Sequence, residues 1–323
     1  MARIRSGWRW QLYLFYKRNQ NYIVPVVRPF ATTFDFVLAS FAKSLAWMMK
    51  RADADASSDF MGKLARFFGP WLPASRTGRE NLRRAFPEKS EREIEEILKG
   101  VWENLGRVAG EFVHLEQMWD YEDRRPNAGR IETYNVDRFV GLYTDGKPAI
   151  LFSAHLGNWE LAAVGARKYG LDSAVLFRMP SNRFIADFIQ ETRADLMSQL
   201  VPAGSEAALF MAGTIERGGH LGMLVDQHRK PGVRVEFFGR PAWANSTLAR
   251  LARHYDCPVH GARVVRLPHN RFRIELTRAL ELPRDAEGKI EIAGTMQAVT
   301  SVIEGWVREH PEQWLWLHRR WRD

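Results

Sequence analysis

The sequence predicts an α/β fold, in which a mixed sheet is flanked by helices and preceded by a helical amino-terminal segment. From residue 148 onward, short apolar runs typical of strands alternate with runs of helical periodicity. Residues 76–120 carry helical patterns alone, and residues 1–75 are aromatic, basic and apolar. These three observations divide the chain into a helical segment at residues 1–75 and an α/β domain at residues 76–323.

The amino-terminal segment contains an amphipathic helix and a second apolar run at residues 60–72. Asp35 and Lys43 interrupt the only stretch that could cross a bilayer, so a helix lying in the membrane interface is favoured over a spanning one. Packing on the protein's own core is the alternative. We predict that residues 1–75 associate with a membrane surface. The apolar residues that recur at helical spacing in the first run are Phe34, Val37, Leu38, Phe41, Leu45 and Met48.

The next region, residues 76–120, has the pattern of two helices joined at Pro87. Ser90 and Glu93 have the spacing of a capping box, which predicts the start of the second helix. Residues 121–147 are polar and carry no strong pattern.

The remaining chain alternates between the two kinds of element. Strands are predicted at residues 149–153, 173–177 and 221–225, and a hairpin joins residues 259–267 to residues 271–277. Helices are predicted at residues 159–169, 187–199, 206–217, 248–255 and 293–309, followed by a Trp-rich tail.

Composition restricts the class of protein. The net charge of +9 and the 12 Trp suit an anionic partner, which could be a nucleic acid, a phosphorylated lipid, a membrane face or an acidic protein. No nucleic-acid-binding motif is present, so the membrane is favoured and no nucleic acid is expected. Cys257 is the only cysteine, which excludes an intrachain disulfide and a cysteine-based zinc cluster. We expect neither a metal nor a cofactor.

The residues that carry chemistry are His155 and Glu160, in an H-x4-E arrangement. His155 directly follows a predicted buried strand and Glu160 lies in the first turn of the next helix, where α/β folds place ligands. Histidine is the natural general base near neutral pH, and a carboxylate on its other ring nitrogen fixes the tautomer. The motifs of serine hydrolases, P-loop NTPases, zinc proteases and dithiol enzymes are absent from the sequence.

The spacing alone is a weak signal. With nine histidines and 38 acidic residues in 323, about one such pair is expected by chance, and His318 with Asp323 matches it too. The context of a strand end and a helix start distinguishes His155 from His318.

Four segments carry a more specific signal. Residues 148–160, with Arg76–Pro87 (R-x4-N-L-x3-F-P), resemble the late acyltransferases of lipid A biosynthesis, the lauroyl and myristoyl transferases of the lysophospholipid acyltransferase superfamily. Residues 224–242 are similar to the D-Q … F-F-G-x-P-A block of that family, and residues 311–321 to its closing P-E-Q-W-x-W-x-H-R-R-W motif. Together the segments cover residues 76–321 in the order of the family.

The resemblance implies a glycerolipid acyltransferase-like sheet and roles for individual residues. His155 would be the general base and Glu160 its carboxylate partner. Asp226 also ends a strand in the same layer and is the alternative partner, with Glu160 favoured. The residues implied in substrate binding are Asn158, Arg178, Arg193 and Gln227.

The activity implied is transfer of a fatty acyl chain from acyl carrier protein to a hydroxyl of a lipid A precursor, in lipopolysaccharide biosynthesis. The implied partners are acyl carrier protein, the anionic precursor and the membrane surface, at the cytoplasmic face of the bacterial inner membrane. The alternative is a phospholipid or glycolipid acyltransferase that uses acyl-CoA.

Overall fold

The computed structural model describes residues 29–322, apart from residues 123, 124, 126, 127, 179, 181, 195 and 205. Residues 1–28 of the predicted membrane-associating segment and the Phe34 side chain lie outside the described residues. The helices described are α1 (Pro29–Met49), α2 (Ala54–Phe68), α3 (Ala74–Ala85), α4 (Glu91–Glu111), α5 (Leu115–Met118), α6 (Val136–Thr144), α7 (Glu160–Lys168), α8 (Arg183–Ala194), α9 (Ala207–Glu216), α10 (Thr247–Tyr255) and α11 (Ile292–Glu309).

The strands of the same part are β1 (Ile131–Tyr134), β2 (Ile150–Ser153), β3 (Ser173–Phe177), β4 (Gln199–Pro202), β5 (His220–Leu224), β6 (Val233–Phe237), β7 (Arg240–Ala244), β8 (Val259–Leu267) and β9 (Arg271–Leu276). Seven of them form one sheet in the order β1-β9-β8-β2-β5-β3-β4. Neighbouring strands run parallel except β8 and β9, which form an antiparallel hairpin. The pair β6–β7 forms a separate antiparallel ribbon.

This helix-flanked mixed sheet confirms the predicted fold class. The three predicted single strands correspond to β2, β3 and β5, and the predicted hairpin corresponds to β8–β9. The helix predicted at residues 187–199 is wrong at its end, since α8 stops at Ala194 and Gln199 begins β4. Strand β1, helix α6 and the β6–β7 ribbon were not predicted. In β1 only Ile131 is fully buried. The alternation of apolar and polar residues that indicates a strand is therefore too weak to be recognised in this part of the sequence.

Helix α2 packs against α4, and glycine permits the close approach. A Cβ at Gly106 would lie 2.3 Å from the carbonyl oxygen of Met61, so a larger residue would separate the two helices. The predicted capping box is confirmed. The Ser90 hydroxyl accepts from the Glu93 amide, and the Glu93 carboxylate accepts from the Ser90 amide. Buried side chains of α3 and α4 belong to the same apolar core as the sheet.

Large apolar side chains are exposed along α1, α2 and the 3-10 turn that follows α2. In the described part of the chain, no helix is both long and apolar enough to cross a membrane. The exposed residues are Phe36, Val37, Leu38, Phe41, Trp47, Met48, Phe60, Leu64, Phe67, Phe68, Trp71 and Leu72.

Candidate active site

His155 lies just beyond the carboxyl end of β2, in a loop whose path depends on Gly157. This glycine has φ +57°, and a Cβ added to it would lie 2.2 Å from the carbonyl oxygen of Val264 in β8. The Gly157 amide donates to the Gln313 carbonyl at 3.1 Å, and the Asn104 side-chain amide donates to the Gly157 carbonyl at 3.0 Å. The loop is therefore held by a helix, a strand and the carboxyl-terminal tail together.

Gly157→Ala should lower the free energy of unfolding by at least about 2 kcal/mol, because a side chain disfavours a positive φ and meets the Val264 carbonyl. Urea denaturation measures this loss. Gly213→Ala is the matched control, since a Cβ there meets no heavy atom within 4 Å inside helix α9. It should leave stability unchanged or raise it by up to about 1 kcal/mol. Equal stability of the two variants would contradict the close approach at Gly157.

Asp226 is the carboxylate that contacts His155. Nδ1 of His155 donates to Oδ1 of Asp226 at 2.8 Å, and the His155 backbone amide donates to Oδ2 at 2.9 Å. Strands β2 and β5 are parallel neighbours, and Ser153 pairs with Leu224, so their carboxyl ends bring the two residues together. The Asp226 side chain is fully buried, whereas 17% of the His155 side chain is exposed.

The preference for Glu160 as the partner of His155 is wrong in the structure, because Glu160 binds Arg193 instead. Nε of Arg193 donates to Oε2 of Glu160 at 3.0 Å, and Nη2 donates to Oε1. Nε1 of Trp159 also donates to Oε1, at 3.0 Å, and the Trp159 ring packs edge-on against His155 at a centroid distance of 5.1 Å. Glu160 therefore supports the ring beside His155, and Arg193 is held in this buried ion pair.

Electrostatic interactions stabilise protonated His155 next to ionised Asp226. Burial alone would lower the pKa of His155, but the charge and hydrogen bond of the Asp226 carboxylate outweigh it and raise that pKa above its usual value. Burial alone would raise the pKa of Asp226, but His155 holds it well below its usual range. Asp226 therefore stays ionised near neutral pH, and it fixes the proton of neutral His155 on Nδ1.

The carboxyl-terminal tail supplies a third hydrogen bond to Asp226. Trp314 is fully buried, and its Nε1 donates to Oδ2 of Asp226 at 2.8 Å. The Leu315 amide donates to the His155 carbonyl at 3.1 Å. In the sequence this tail is recognisable only as a motif, and no role in the site is predicted for Trp314. Burial lowers the pKa of His318 to about 4, so that histidine is a weaker base than His155, whose pKa is raised.

Asn158 lies behind the site in a buried polar network. It is fully buried and donates to Glu111 at 2.7 Å, while Arg266 reaches the same carboxylate with two hydrogen bonds and also donates to Asn104 at 2.9 Å. The structure thus gives Asn158 a part in holding the loop and does not expose it to a substrate. Glu111 and Arg266 were not singled out from the sequence, where nothing links residues so far apart.

The two other predicted substrate residues follow strand ends. Arg178 comes directly after β3 and is exposed, and Gln227 comes after Asp226 and is half-buried. Burial raises the pKa of Cys257 to about 12, so this thiol is no nucleophile at neutral pH. Within the described ranges, no group of three or more His, Cys, Asp or Glu is arranged to hold a metal ion.

The fold and the site define an α/β protein with a buried carboxylate–histidine pair at the carboxyl ends of two parallel strands. The profile of the family described as bacterial lipid A biosynthesis acyltransferase matches residues 32–323. The chain belongs to that family. It is 25% identical over 271 residues to the lipid A biosynthesis palmitoleoyltransferase of Escherichia coli K12, covering 81% of this chain and 82% of the relative. A lipid A biosynthesis acyltransferase of Shigella flexneri shows the same identity and coverage.

Proposed function

We propose that this protein transfers a fatty acyl chain from acyl carrier protein to a hydroxyl of a lipid A precursor. The observation that carries the proposal is the hydrogen bond from Nδ1 of His155 to the ionised Asp226 carboxylate. It leaves Nε2 as the basic nitrogen, and Nε2 makes no hydrogen bond to any described residue. A base that faces outward without an attached nucleophile suits a reaction in which the substrate hydroxyl is the nucleophile.

The proposed reaction needs no enzyme-bound acyl group. Nε2 of His155 takes the proton of the acceptor hydroxyl as its oxygen attacks the thioester carbonyl. The tetrahedral intermediate collapses, the C–S bond breaks, and the new C–O ester bond remains. The proton then passes from His155 to the departing thiolate. Asp226 stays ionised and stabilises the imidazolium between the two proton transfers.

The proposal also specifies acyl carrier protein, and not CoA, as the carrier of the donated acyl chain. A net charge of +9 favours an acidic carrier protein, but it also tolerates the phosphates of acyl-CoA. The experiment compares acyl carrier protein and CoA loaded with the same acyl chains, with a tetra-acylated precursor as the acceptor and mass spectrometry as the readout. We expect one added acyl chain and a kcat/KM at least about tenfold higher with the carrier protein. A preference for acyl-CoA would overturn the donor, and no acylation with either would overturn the function.

We also propose that the protein works on the cytoplasmic face of the bacterial inner membrane, held by the exposed apolar residues of α1, α2 and the 3-10 turn that follows α2. Phe67 and Trp71 are 62% and 70% exposed, and their rings meet at a centroid distance of 5.1 Å. Trp at a water–apolar boundary is typical of interfacial binding, and a lipid acceptor has to be reached from its bilayer.

Phe67→Ser with Trp71→Ser should weaken binding to anionic lipid vesicles by roughly a hundredfold or more, because each buried aromatic ring contributes about 1.5–3 kcal/mol. Vesicle cosedimentation measures the loss. Leu209→Ser is the control, since Leu209 is 77% exposed on helix α9 and belongs to neither α1 nor α2. High salt should not release the wild-type protein. Quantitative release by salt, or equal loss in the control, would contradict the apolar contact.

A further inference from the structure

Arg320 is a buried cation with no carboxylate partner among the described residues. It is 2% exposed, Nη1 donates to the Trp243 carbonyl at 2.8 Å, and Nε is buried without a hydrogen bond. Burial lowers the pKa of Arg320 to about 10. Two partly buried arginines of the site region differ, since Arg266 pairs with Glu111 and Arg193 with Glu160. An unpaired buried charge is costly, so it indicates a partner that binds from outside.

Two further cations, Lys230 and Arg322, and the imidazole of His228 lie in the neighbourhood of Arg320. The Lys230 ammonium lies 4.8 Å from the centre of the Trp243 ring, whose backbone carbonyl binds Arg320. His228 has its Nδ1 buried and unpaired. Burial first, and then the positive charges of the neighbouring Arg322 and Arg320, lower the pKa of His228. We name this group of His228, Lys230, Arg320 and Arg322 the tail cluster.

The tail cluster adjoins the catalytic pair. His228 and Lys230 follow Asp226 in the chain, and Arg320 lies six residues after Trp314, which binds Asp226. Asp226 is the carboxylate whose charge acts on Arg320, but its oxygens are already bonded to His155 and Trp314. It therefore does not supply Arg320 with a direct counter-ion.

We propose that the tail cluster binds a phosphomonoester on the head group of the acceptor lipid. Arginine and lysine bind phosphate oxygens through charge-assisted hydrogen bonds. A phosphomonoester carries up to two negative charges near neutral pH and so matches several cations, whereas the phosphodiester in the arm of a carrier protein carries one. The choice of acceptor rests on the proposed function, but the anion site itself does not.

The first experiment measures the melting temperature in inorganic phosphate and in chloride at equal ionic strength. Phosphate should stabilise the wild-type protein, because it binds only the folded state. Arg320→Gln should abolish this stabilisation, because it removes the buried cation on which the anion site depends. A wild type indifferent to phosphate, or a folded Arg320→Gln protein that phosphate still stabilises, would overturn the site.

Lys230→Gln keeps the test valid if Arg320→Gln fails to fold, because Lys230 is exposed. It should weaken phosphate binding about threefold to tenfold. Lys289→Gln is the matched control, an exposed lysine in a separate basic group with Arg253 and Arg284. It should behave as wild type. An equal effect of both lysine variants would mean that phosphate binding depends only on the overall charge of the protein, and it would overturn the site.

The second experiment identifies the phosphate with the acyl transfer assay. Lys230→Gln should raise the KM of the phosphorylated acceptor about threefold to tenfold and leave kcat and the KM of the donor within about twofold. With a dephosphorylated acceptor, wild type and variant should have the same KM. A change confined to the KM of the donor would mean that the tail cluster binds the phosphate in the arm of the carrier protein, and it would overturn the proposal. Phosphate stabilisation without any acyl transfer would retain the anion site and reject the proposed function.

Discussion

His155→Ala should lower kcat by about 10²–10⁴-fold, because no other group takes the proton from the acceptor hydroxyl. The side chain is partly exposed, and its removal leaves the backbone bonds to Asp226 and Leu315 in place, so the variant should remain folded. The acyl transfer assay measures the turnover. Circular dichroism and the melting temperature verify the fold.

His254→Ala is the matched control for that loss, since His254 is an exposed histidine on helix α10. It should retain wild-type turnover. If His155→Ala stayed within a few-fold of wild type, proton removal by His155 would be excluded.

Asp226→Asn should cost about 10²–10⁴-fold in kcat, because an amide no longer fixes the proton on Nδ1 of His155 or stabilises the imidazolium. Glu160→Gln should affect stability more than chemistry. It leaves the Arg193 guanidinium without a counter-charge in a largely buried place, at a cost of about 2–4 kcal/mol in the free energy of unfolding. Comparison of the two variants distinguishes the carboxylate that orients His155 from the carboxylate that pairs with Arg193.

Turnover and urea denaturation are measured on both variants. Arg193→Lys retains a charge next to Glu160 and serves as the companion to Glu160→Gln. It should lose less stability than Glu160→Gln, because both members of the ion pair remain charged. A larger loss of kcat in Glu160→Gln than in Asp226→Asn would return the orienting role to Glu160.

Local sequence patterns predicted the parts of the fold that depend on neighbouring residues. The strand before His155 and the hairpin β8–β9 were found because burial alternates or persists over several consecutive residues. The candidate base was found from its place after a strand and from the resemblance to the family. The short strand β1 and the ribbon β6–β7 carry less periodic signal and were missed.

The identity of the carboxylate partner could not be read from spacing. Glu160 is five residues from His155, but the loop path through Gly157 and Asn158 directs its side chain towards Arg193. Asp226 is 71 residues from His155 and approaches it only because β2 and β5 are parallel neighbours. Strand order is a property of the whole sheet, so a one-dimensional motif does not contain it.

The same limit applies to the groups that hold the site in place. Trp314 reaches Asp226 across 88 residues, and Glu111 reaches Arg266 across 155. Neither contact was predicted from the sequence. Only the packing shows that the tryptophan is buried and that the two charges are paired with each other.

The pH dependence of kcat/KM tests the pairing of His155 with Asp226 most directly. Activity requires neutral His155, so kcat/KM should fall as the pH drops through the pKa of this residue. Because Asp226 raises that pKa, the acid limb of wild type should lie above the usual histidine value of about 6.5. In Asp226→Asn the limb should move to lower pH while the plateau falls. An acid limb that stays in place in Asp226→Asn and moves instead in Glu160→Gln would contradict the pairing.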